Sequence, residues 1–387
     1  MKAKMIDKFQ EVFGGKDRVE VFFAPGRVNL IGEHTDYNGG HVFPCALTIG
    51  TYAVVRKRED RIIRFYSMNL SQYGVLETTL DDLVYKKELH WCNYPMGVVW
   101  AYKNHGFEVS TGFDVLYYGN IPNGSGLSSS ASIEVLTGYY IKELYGFDLS
   151  NIQIALYGQE AENQYIGVNC GIMDQFAIAM GKANKAIFLD TSNLAYTYAP
   201  IELDGAKIVI ANTNKKRGLH DSKYNERRSE CETAVEEMKQ VIPINTLGDL
   251  TIEQFEEHKM AITSETRRRR AKHAVYENQR TIQAVKALEE KDLKTFGDLM
   301  IASHVSLRDD YEVTGVELDT IVDAALTCQG VIGARMTGAG FGGCAVSIVK
   351  EEEVESFIDK VGNIYLKEIG YKADFYVVEV GDGPKRI

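Results

Sequence analysis

GNIPNGSGLSSSAS, residues 119–132, joins closely spaced glycines to a run of serines. Gly124 and Gly126 allow backbone N–H groups to turn inward, and the serines add hydroxyls and amides at the start of a helix. A helix start of this kind can bind phosphate. The segment lacks the lysine of a Walker A loop, and Ser129 stands where a dinucleotide fingerprint has glycine or alanine. From these residues alone, a phosphate loop and an ordinary loop before a serine-capped helix remain equally open.

The residues on either side of this segment follow strand and helix patterns. Residues 113–118 are rich in β-branched and aromatic side chains, and residues 128–145 carry apolar side chains at helical spacing. The same patterns predict further strands at 19–23, 52–57, 62–66, 207–212, 333–336, 344–348 and 373–378. They predict helices near the N-terminus and at 95–104, 224–239, 266–289, 291–307, 316–328 and 352–369. The sequence therefore predicts an α+β protein.

The length of the chain predicts two lobes. Its 387 residues exceed the size at which one hydrophobic core usually stops growing. We place the boundary within residues 180–205 and expect an N-terminal lobe of residues 1–200 and a C-terminal lobe of residues 201–387. The elements from residue 333 onwards resemble a compact α+β sandwich.

The composition excludes several classes of protein. The formal charge is 43 − 54 = −11, which disfavours general binding to nucleic acids or anionic membranes. No apolar run of about 18 residues occurs, so we expect no membrane span. The six cysteines lie far apart and predict neither disulfides nor a zinc site, so we expect a reducing, cytoplasmic location. The basic run Arg267–Arg270 is interpreted as a solvated, salt-bridged helix face.

A second polar segment, APGRVNLIGEHTDYNGG at residues 24–40, follows a predicted strand. It places Arg27, Asn29, Glu33, His34 and Asp36 close together in the chain. Such a dense set of polar groups suits hydrogen bonding to a polyhydroxylated ligand. By composition alone, a solvated loop explains it better.

Two acidic residues are candidates for chemistry. Asp174 lies in CGIMDQF, residues 170–176, where apolar neighbours would leave a carboxylate needing a partner. It is either a buried, satisfied carboxylate or a general base. Glu162 could bind a metal, although an exposed helical glutamate is the simpler interpretation of that position alone.

The segment RMTGAGFGGC, residues 335–344, has four glycines within six positions. This spacing indicates a turn between two strands at which the backbone is closely approached. Either a ligand or another part of the chain would explain it.

Taken in order along the chain, these segments resemble the GHMP kinases. GNIPNGSGLSSSAS resembles the nucleotide loop of that superfamily, and RMTGAGFGGC its C-terminal glycine-rich motif. GRVNLIGEHTDYNGG is similar to the signature of the galactokinase branch, and the resemblance continues through CGIMDQF and HDSKYNERRSEC, residues 220–231. It implies a two-lobed fold, with a mixed-sheet N-terminal lobe, an α/β-sandwich C-terminal lobe and the active site between them.

The resemblance also implies an activity and its residues. The activity is ATP-dependent phosphorylation of the C1 hydroxyl of galactose to galactose 1-phosphate, the entry step of galactose (Leloir) metabolism. Asp174 matches the family's base and Arg27 its charged neighbour. The sugar-binding positions correspond to Glu33, His34, Thr35, Asp36 and Tyr224. The ATP-binding positions correspond to Ser67, Gly124, Ser125, Gly126, Leu127, Ser128, Ser129 and Ser130, and the Mg²⁺ ligands to Ser130 and Glu162. We expect a monomer that binds galactose and ATP, and neither nucleic acid nor membrane.

Three alternatives remain at this stage. An N-acetylgalactosamine or arabinose kinase of the same superfamily would share the nucleotide motifs, although Thr35 and Asn38 favour the galactokinase branch. A non-catalytic sugar sensor typically has lesions in the nucleotide loop, whereas Ser128–Ser132 is intact. A nucleic-acid-binding protein built on Arg267–Arg270 is opposed by the net charge.

Overall fold

The computed structural model describes residues 1–15, 18–121, 126–215 and 220–387, and for residues 220–221 the backbone only. Gly124 and Ser125 of the glycine- and serine-rich segment lie outside the described residues.

Strands and helices occupy both halves of the chain. The strands are β1 (Glu20–Asn29), β2 (His41–Val42), β3 (Pro44–Lys57), β4 (Ile62–Ser67), β5 (Leu76–Thr79), β6 (Phe113–Gly119), β7 (Lys185–Asp190), β8 (Tyr196–Pro200), β9 (Ala206–Asn212), β10 (Val331–Thr337), β11 (Cys344–Lys350), β12 (Asp374–Val378) and β13 (Lys385–Arg386). The α-helices are α1 (Lys2–Phe13), α2 (Asn93–Asn104), α3 (Ser129–Tyr145), α4 (Asn151–Glu160), α5 (Met173–Ala179), α6 (His220–Met238), α7 (Ile252–His258), α8 (Glu265–Glu289), α9 (Leu293–Asp309), α10 (Val316–Leu326) and α11 (Val354–Ile369). The predicted α+β class is confirmed.

The first sheet has the strand order β13-β1-β3-β6-β4-β5 and is covered on both faces. Phe22 pairs with Ala53 across β1 and β3, and both face a core shared with helices α2–α5. Val21 and Val54, one position along each strand, face the opposite side and pack on α1. Strands β4 and β6 are parallel, and α2 lies in the connection between them.

The second sheet has the order β10-β11-β9-β12 and is antiparallel throughout. One of its faces packs against the core formed with helices α6, α8, α10 and α11. The third sheet, β2-β7-β8, was not predicted. Strand β2 has only two residues, and the periodicity of a short apolar run such as residues 186–189 in β7 does not distinguish a strand from a buried helical segment.

A separate apolar cluster joins the first half of the chain to the second. Val28 and Ile31, at the end of β1, pack with Ile210 of β9 and Val346 of β11. This cluster fixes β1 against the second sheet, and the polar side chains that follow β1 therefore lie at the junction. No helix in the described ranges is long and apolar enough to cross a membrane.

The basic run on α8 is salt-bridged, as predicted. Arg267 pairs with Glu237, Arg268 with Glu265, and Arg269 with Glu312. The expectation of a solvated face is wrong at Arg270, whose side chain is only 3% exposed and pairs with Glu230 and Glu312. The helix turns this arginine towards α6, which a run of four arginines in sequence does not reveal.

Candidate active site

A cavity of about 380 Å³ lies where four parts of the chain meet. They are the polar segment at residues 24–40, the start of α3, the segment that carries Asp174 and the glycine-rich turn at residues 335–344. Arg27, Glu33, His34 and Asp36 line it from the segment that begins in β1. The remaining lining comes from the start of α3, from α5 and Tyr224, and from the turn between β10 and β11. Segments that are more than 300 residues apart in the sequence thus share one cleft.

Arg27 and Asp174 form an ion pair in this cleft. Arg27 Nε donates to Asp174 Oδ1 at 2.8 Å, and Nη2 donates to Oδ2 at 2.9 Å. The Ser128 hydroxyl also donates to Oδ2. Arg27 is nearly buried, whereas the Asp174 side chain is 30% exposed towards the cavity. Asp174 is therefore the partnered carboxylate that its apolar sequence context predicts, with one face open to a ligand.

Two backbone irregularities orient the side chains of Arg27 and Ser128 towards Asp174. The pairing of β1 with β3 shifts register between Pro25 and Arg27, and a bulge of this kind re-orients the side chain that follows it. Ser128, immediately before α3, adopts a left-handed conformation with φ +59°. A non-glycine residue rarely adopts this conformation, and it turns the Ser128 hydroxyl towards Asp174.

Asp36 and Tyr224 lie beside Asp174 on the sugar-signature side of the cavity. Asp36 accepts hydrogen bonds from the amides of Tyr37 at 3.0 Å and Met173 at 3.4 Å. Burial and the nearby Asp174 charge raise the pKa of Asp36 to about 6. Gly171 leaves room for this carboxylate, since a Cβ there would lie 1.9 Å from Asp36 Oδ2.

His34 is a neutral hydrogen-bonding group. Its Nε2 is 3.3 Å from the Ala339 carbonyl oxygen, which can only accept, so Nε2 carries the proton. Its Nδ1 accepts from the Tyr37 hydroxyl at 2.8 Å. Burial and the neighbouring His273 lower the pKa of His34 to about 3. The Tyr224 ring packs against His34, with 5.6 Å between the ring centroids.

Glu33 is almost fully buried, yet it lines the cavity. Its Oε1 accepts from the Gly338 amide at 2.7 Å, and its Oε2 accepts from Asn29 Nδ2 at 2.9 Å. The glycine-rich turn of RMTGAGFGGC therefore contacts another part of the chain, and it also lines the cavity, where contact with a ligand stays a prediction.

Thr35 does not belong with the other predicted sugar-binding side chains. Its hydroxyl oxygen lies 2.8 Å from the Gly32 carbonyl oxygen and 2.7 Å from that of His41. The residue is fully buried and does not line the cavity. We correct the prediction accordingly, because the Thr35 side chain holds the turn that presents Glu33 and Asp36.

Of the predicted nucleotide positions that the structure describes, all but Leu127 line the other half of the cavity. Gly126, Ser128, Ser129 and Ser130 line it around the start of α3, and Ser67 lines it from the end of β4. Leu127 is fully buried, its side chain does not line the cavity, and its carbonyl oxygen accepts from the Arg27 amide at 3.4 Å. Because the loop is expected to bind phosphate through backbone N–H groups, burial of this side chain does not contradict the prediction for Leu127, which stays a prediction.

Glu162 lies in a π-helical turn, Ala161–Ile166, that continues α4. Such turns recur at functional sites, and this one buries a side chain that the helical pattern alone would expose. Burial and the Asp174 charge raise the pKa of Glu162 to about 7, against the opposing hydrogen bonds from Ser130 and Cys170. Gln175 Nε2 donates to Glu162 at 2.8 Å and to the buried Glu134 at 2.9 Å.

Sequence reasoning missed several residues of this cleft. Trp91, Tyr94, Leu70 and Ile133 form its apolar part next to Ser67. The aromatic pair in WCNY was the one available signal, but aromatic residues before a helix are more often core residues. Gln175 and Glu134 do not line the cavity but contact each other beside Glu162, and they gave no signal, since this arrangement depends on how α3, α4 and α5 pack.

Comparison with known proteins identifies the family. The galactokinase galactose-binding signature matches residues 7–57, the GHMP kinase N-terminal domain residues 93–182, and the GHMP kinase C-terminal domain residues 284–367. A galactokinase of Clostridium beijerinckii is 61% identical, over 98% of this chain and 97% of that protein. One from Bacillus subtilis is 52% identical, over 100% of this chain and 99% of that protein.

Solved structures agree in fold. The crystal structure of Lactococcus lactis galactokinase complexed with galactose superimposes with a TM-score of 0.98 at 49% identity, covering 100% of this chain and 99% of that one. Methanococcus jannaschii mevalonate kinase superimposes with a TM-score of 0.64 at 20% identity, over 95% of this chain and 100% of that one, and shares the fold. The predicted GHMP kinase fold and family resemblance are confirmed. The chain is an ATP-dependent sugar kinase, and it belongs to the galactokinase family of the GHMP kinases.

Proposed function

We propose that this chain transfers the γ-phosphoryl group of ATP to the C1 hydroxyl of α-D-galactose, the entry step of galactose metabolism. The observation that carries the proposal is the position of the Arg27–Asp174 pair. It lies between the sugar-signature residues and the start of α3, where an acceptor hydroxyl and a γ-phosphate would meet.

Asp174 would accept the proton of the C1 hydroxyl as the C1 oxygen attacks the γ-phosphorus. The new C1–O–P linkage forms while the bond from the γ-phosphorus to the β–γ bridging oxygen breaks, and ADP leaves. A carboxylate can accept about four hydrogen bonds. Arg27 and Ser128 supply three of them, which leaves Asp174 an acceptor position for the sugar hydroxyl.

Arg27 would act by its charge and its geometry. Phosphoryl transfer depends chiefly on positioning and on stabilising charge at the transferred group. Nε and Nη2 hold Asp174, while Nη1 donates to the Gly126 carbonyl oxygen at 2.6 Å. The same guanidinium thus fixes the base relative to the loop next to the phosphates.

The sugar would be bound by Glu33, His34, Asp36 and Tyr224, and the nucleotide by Ser67, the start of α3 and the 124–130 loop. Amides at the N-terminus of α3 carry partial positive charge, which suits the phosphates. The apolar wall at Trp91 and Tyr94 suits the adenine ring of ATP. Glu33 and Asp36 supply acceptors for hydroxyl groups, which galactose provides in number.

Ser130 and Glu162 would hold a Mg²⁺ ion. Their oxygen donors fit this ion, which keeps several waters and needs one or two carboxylates besides the substrate phosphates. Glu162 fits because its carboxylate is buried and its pKa is raised to about 7, so a cation would stabilise the ionised form. When bound, Mg²⁺ supplies charge neutralisation at the phosphate oxygens.

We also propose the two lobes 1–200 and 201–387, a cytoplasmic location and a monomer. Separate cores on the two sheets support the division, although β13, at the C-terminus, pairs with β1 of the first sheet. The absence of a disulfide among the six cysteines, all within the described ranges, supports a reducing compartment.

The test is ADP release by the purified protein, coupled to a recording enzyme, with galactose, N-acetylgalactosamine, glucose and arabinose. We expect turnover chiefly with galactose, and loss of most of that turnover in Asp174→Asn. Turnover with only N-acetylgalactosamine or arabinose would indicate a sister kinase. Galactose binding without any ADP release would indicate a sugar sensor.

A further inference from the structure

Arg335 lies beneath the sugar side of the cavity and is fully buried. It lies in β10, two residues before that strand ends at the glycine-rich turn, a position at which an arginine could be taken for a phosphate ligand. Unlike Glu33, it is not among the residues that line the cavity, so we expect it to make no contact with a ligand there. Its role must therefore be exerted through the residues that it touches.

The contacts of Arg335 lead to Glu33. Nη1 donates to the Asn29 carbonyl oxygen at 3.1 Å and lies 3.4 Å from Glu33 Oε1. Asn29 and Gly338 donate to the same carboxylate, so donors from β1, β10 and the following turn fix its orientation. Glu33 is thus held by Arg335 on its buried side, while it lines the cavity on the other.

A second carboxylate anchors the arginine. Glu277 Oε1 lies 3.9 Å from Arg335 Nη2, and Ser303 accepts from Arg335 Nε at 3.2 Å. Glu277 also accepts from the Gly32 amide at 3.0 Å, in the loop that carries Glu33. Burial would raise the pKa of Glu277, but Arg280, His273 and Arg335 outweigh it and lower this pKa to about 2.

Stability alone does not account for this arrangement. Buried ion pairs often contribute no more to stability than apolar residues of similar volume. Arg335 Nη2 also lacks a hydrogen-bond partner among the residues that the structure describes. The hydrogen bonds that Arg335 does make reach the Asn29 carbonyl oxygen at 3.1 Å, Ser303 at 3.2 Å and Glu33 at 3.4 Å, and Glu277 connects the arginine to the loop at Gly32.

We propose that Arg335 is a positioning residue for the sugar, holding Glu33 so that a free acceptor position of its carboxylate faces one substrate hydroxyl. The inference rests on the proposed galactose kinase activity and adds a specificity role to a residue outside the cavity. Lysine at this position would keep the charge but lose the planar fork that reaches both Asn29 and Glu33.

The test compares Arg335→Lys with Arg270→Lys. Arg270 is equally buried, and its partners Glu230, Asp310 and Glu312 do not line the cavity. In Arg335→Lys we expect the KM for galactose to rise about tenfold, because this is about the effect of losing one charge-assisted hydrogen bond. The KM for ATP should be unchanged. In Arg270→Lys we expect both KM values to match those of the wild type.

Deoxygalactoses separate positioning from a general loss of structure. The hydroxyl that pairs with Glu33 is the one whose removal costs affinity in the wild type but not in Glu33→Gln. Arg335→Lys should reduce the penalty for removing that same hydroxyl and leave the other penalties unchanged. A purely structural role would weaken the binding of all analogues alike.

If Arg335→Lys does not fold, Ser303→Ala removes the Nε acceptor more mildly and should give a smaller loss in the same direction. Equal losses for galactose and ATP, or an unchanged pattern of deoxy penalties, would overturn the inference. Absence of galactose turnover in the wild type would instead refute the proposed function.

Discussion

Arg27 and Asp174 meet side by side, with Nε 2.8 Å from Oδ1 and Nη2 2.9 Å from Oδ2, although 147 positions separate them in the sequence. The bulge in β1 directs the arginine and the first turn of α5 directs the aspartate. The pair joins the sugar side of the cavity to the nucleotide side. The first two predictions test its two members separately.

Asp174→Asn should remove most of kcat while binding of both substrates persists. The amide is nearly isosteric but cannot accept the C1 proton, and general-base assistance is typically worth about 10²–10⁴-fold. Single-turnover rates give the deficit, and calorimetric titration with galactose provides the control for folding. A near-wild-type kcat would make Asp174 a structural carboxylate.

Arg27→Lys should also lower kcat. An ammonium group keeps the charge but cannot donate to both Asp174 oxygens and to the Gly126 carbonyl oxygen together. We expect a loss of at least tenfold in kcat, about the effect of one lost charge-assisted hydrogen bond. Steady-state kinetics measure it, and Arg270→Lys is the control. Full activity of Arg27→Lys would show that a positive charge at this position is sufficient for catalysis and that the geometry of the guanidinium is not needed.

The affinity for galactose should fall as the pH is lowered through about 6, the raised pKa of Asp36. Above this pH the carboxylate is ionised and only accepts hydrogen bonds. Below it the carboxyl is protonated and loses an acceptor position towards the sugar. Calorimetric titration of the free enzyme from pH 8 to pH 5 measures the change.

Asp36→Asn should abolish this pH dependence, because an amide does not titrate in this range. Its affinity should resemble that of the wild type at low pH. A wild-type affinity that stays constant from pH 8 to pH 5 would remove Asp36 from the sugar site.

The sequence predicted most of the helices and strands and the convergence of the motifs, but it did not predict how deeply individual side chains are buried. Helical periodicity located α8 to within a residue, yet it could not show that Arg270 faces α6. Thr35 stands between two cavity residues and still points away, because its hydroxyl bonds to the carbonyl oxygens of Gly32 and His41. The burial of Glu162 depends on a π-helical turn and on a contact with Gln175, and no sequence pattern indicates either of them.

Ser130→Ala and Glu162→Gln should weaken the use of Mg²⁺ and spare the sugar. Each removes one proposed oxygen ligand, and Glu162→Gln also removes the charge that a divalent cation would balance. Because one ligand is lost, we expect the Mg²⁺ concentration that gives half-maximal rate to rise several-fold. Galactose binding, measured without nucleotide, should be unchanged.

Galactose titration of both variants is the control for this assignment. Parallel loss of sugar affinity and of activity would show that Ser130 and Glu162 support the structure of the cleft and do not bind the ion.

Phosphorus NMR of the reaction product tests the central claim most directly. The wild-type enzyme, incubated with galactose, ATP and Mg²⁺, should give a single new phosphomonoester coupled to the anomeric proton of α-galactose, together with one equivalent of ADP. A product phosphorylated at C6, or no sugar phosphate at all, would contradict the account.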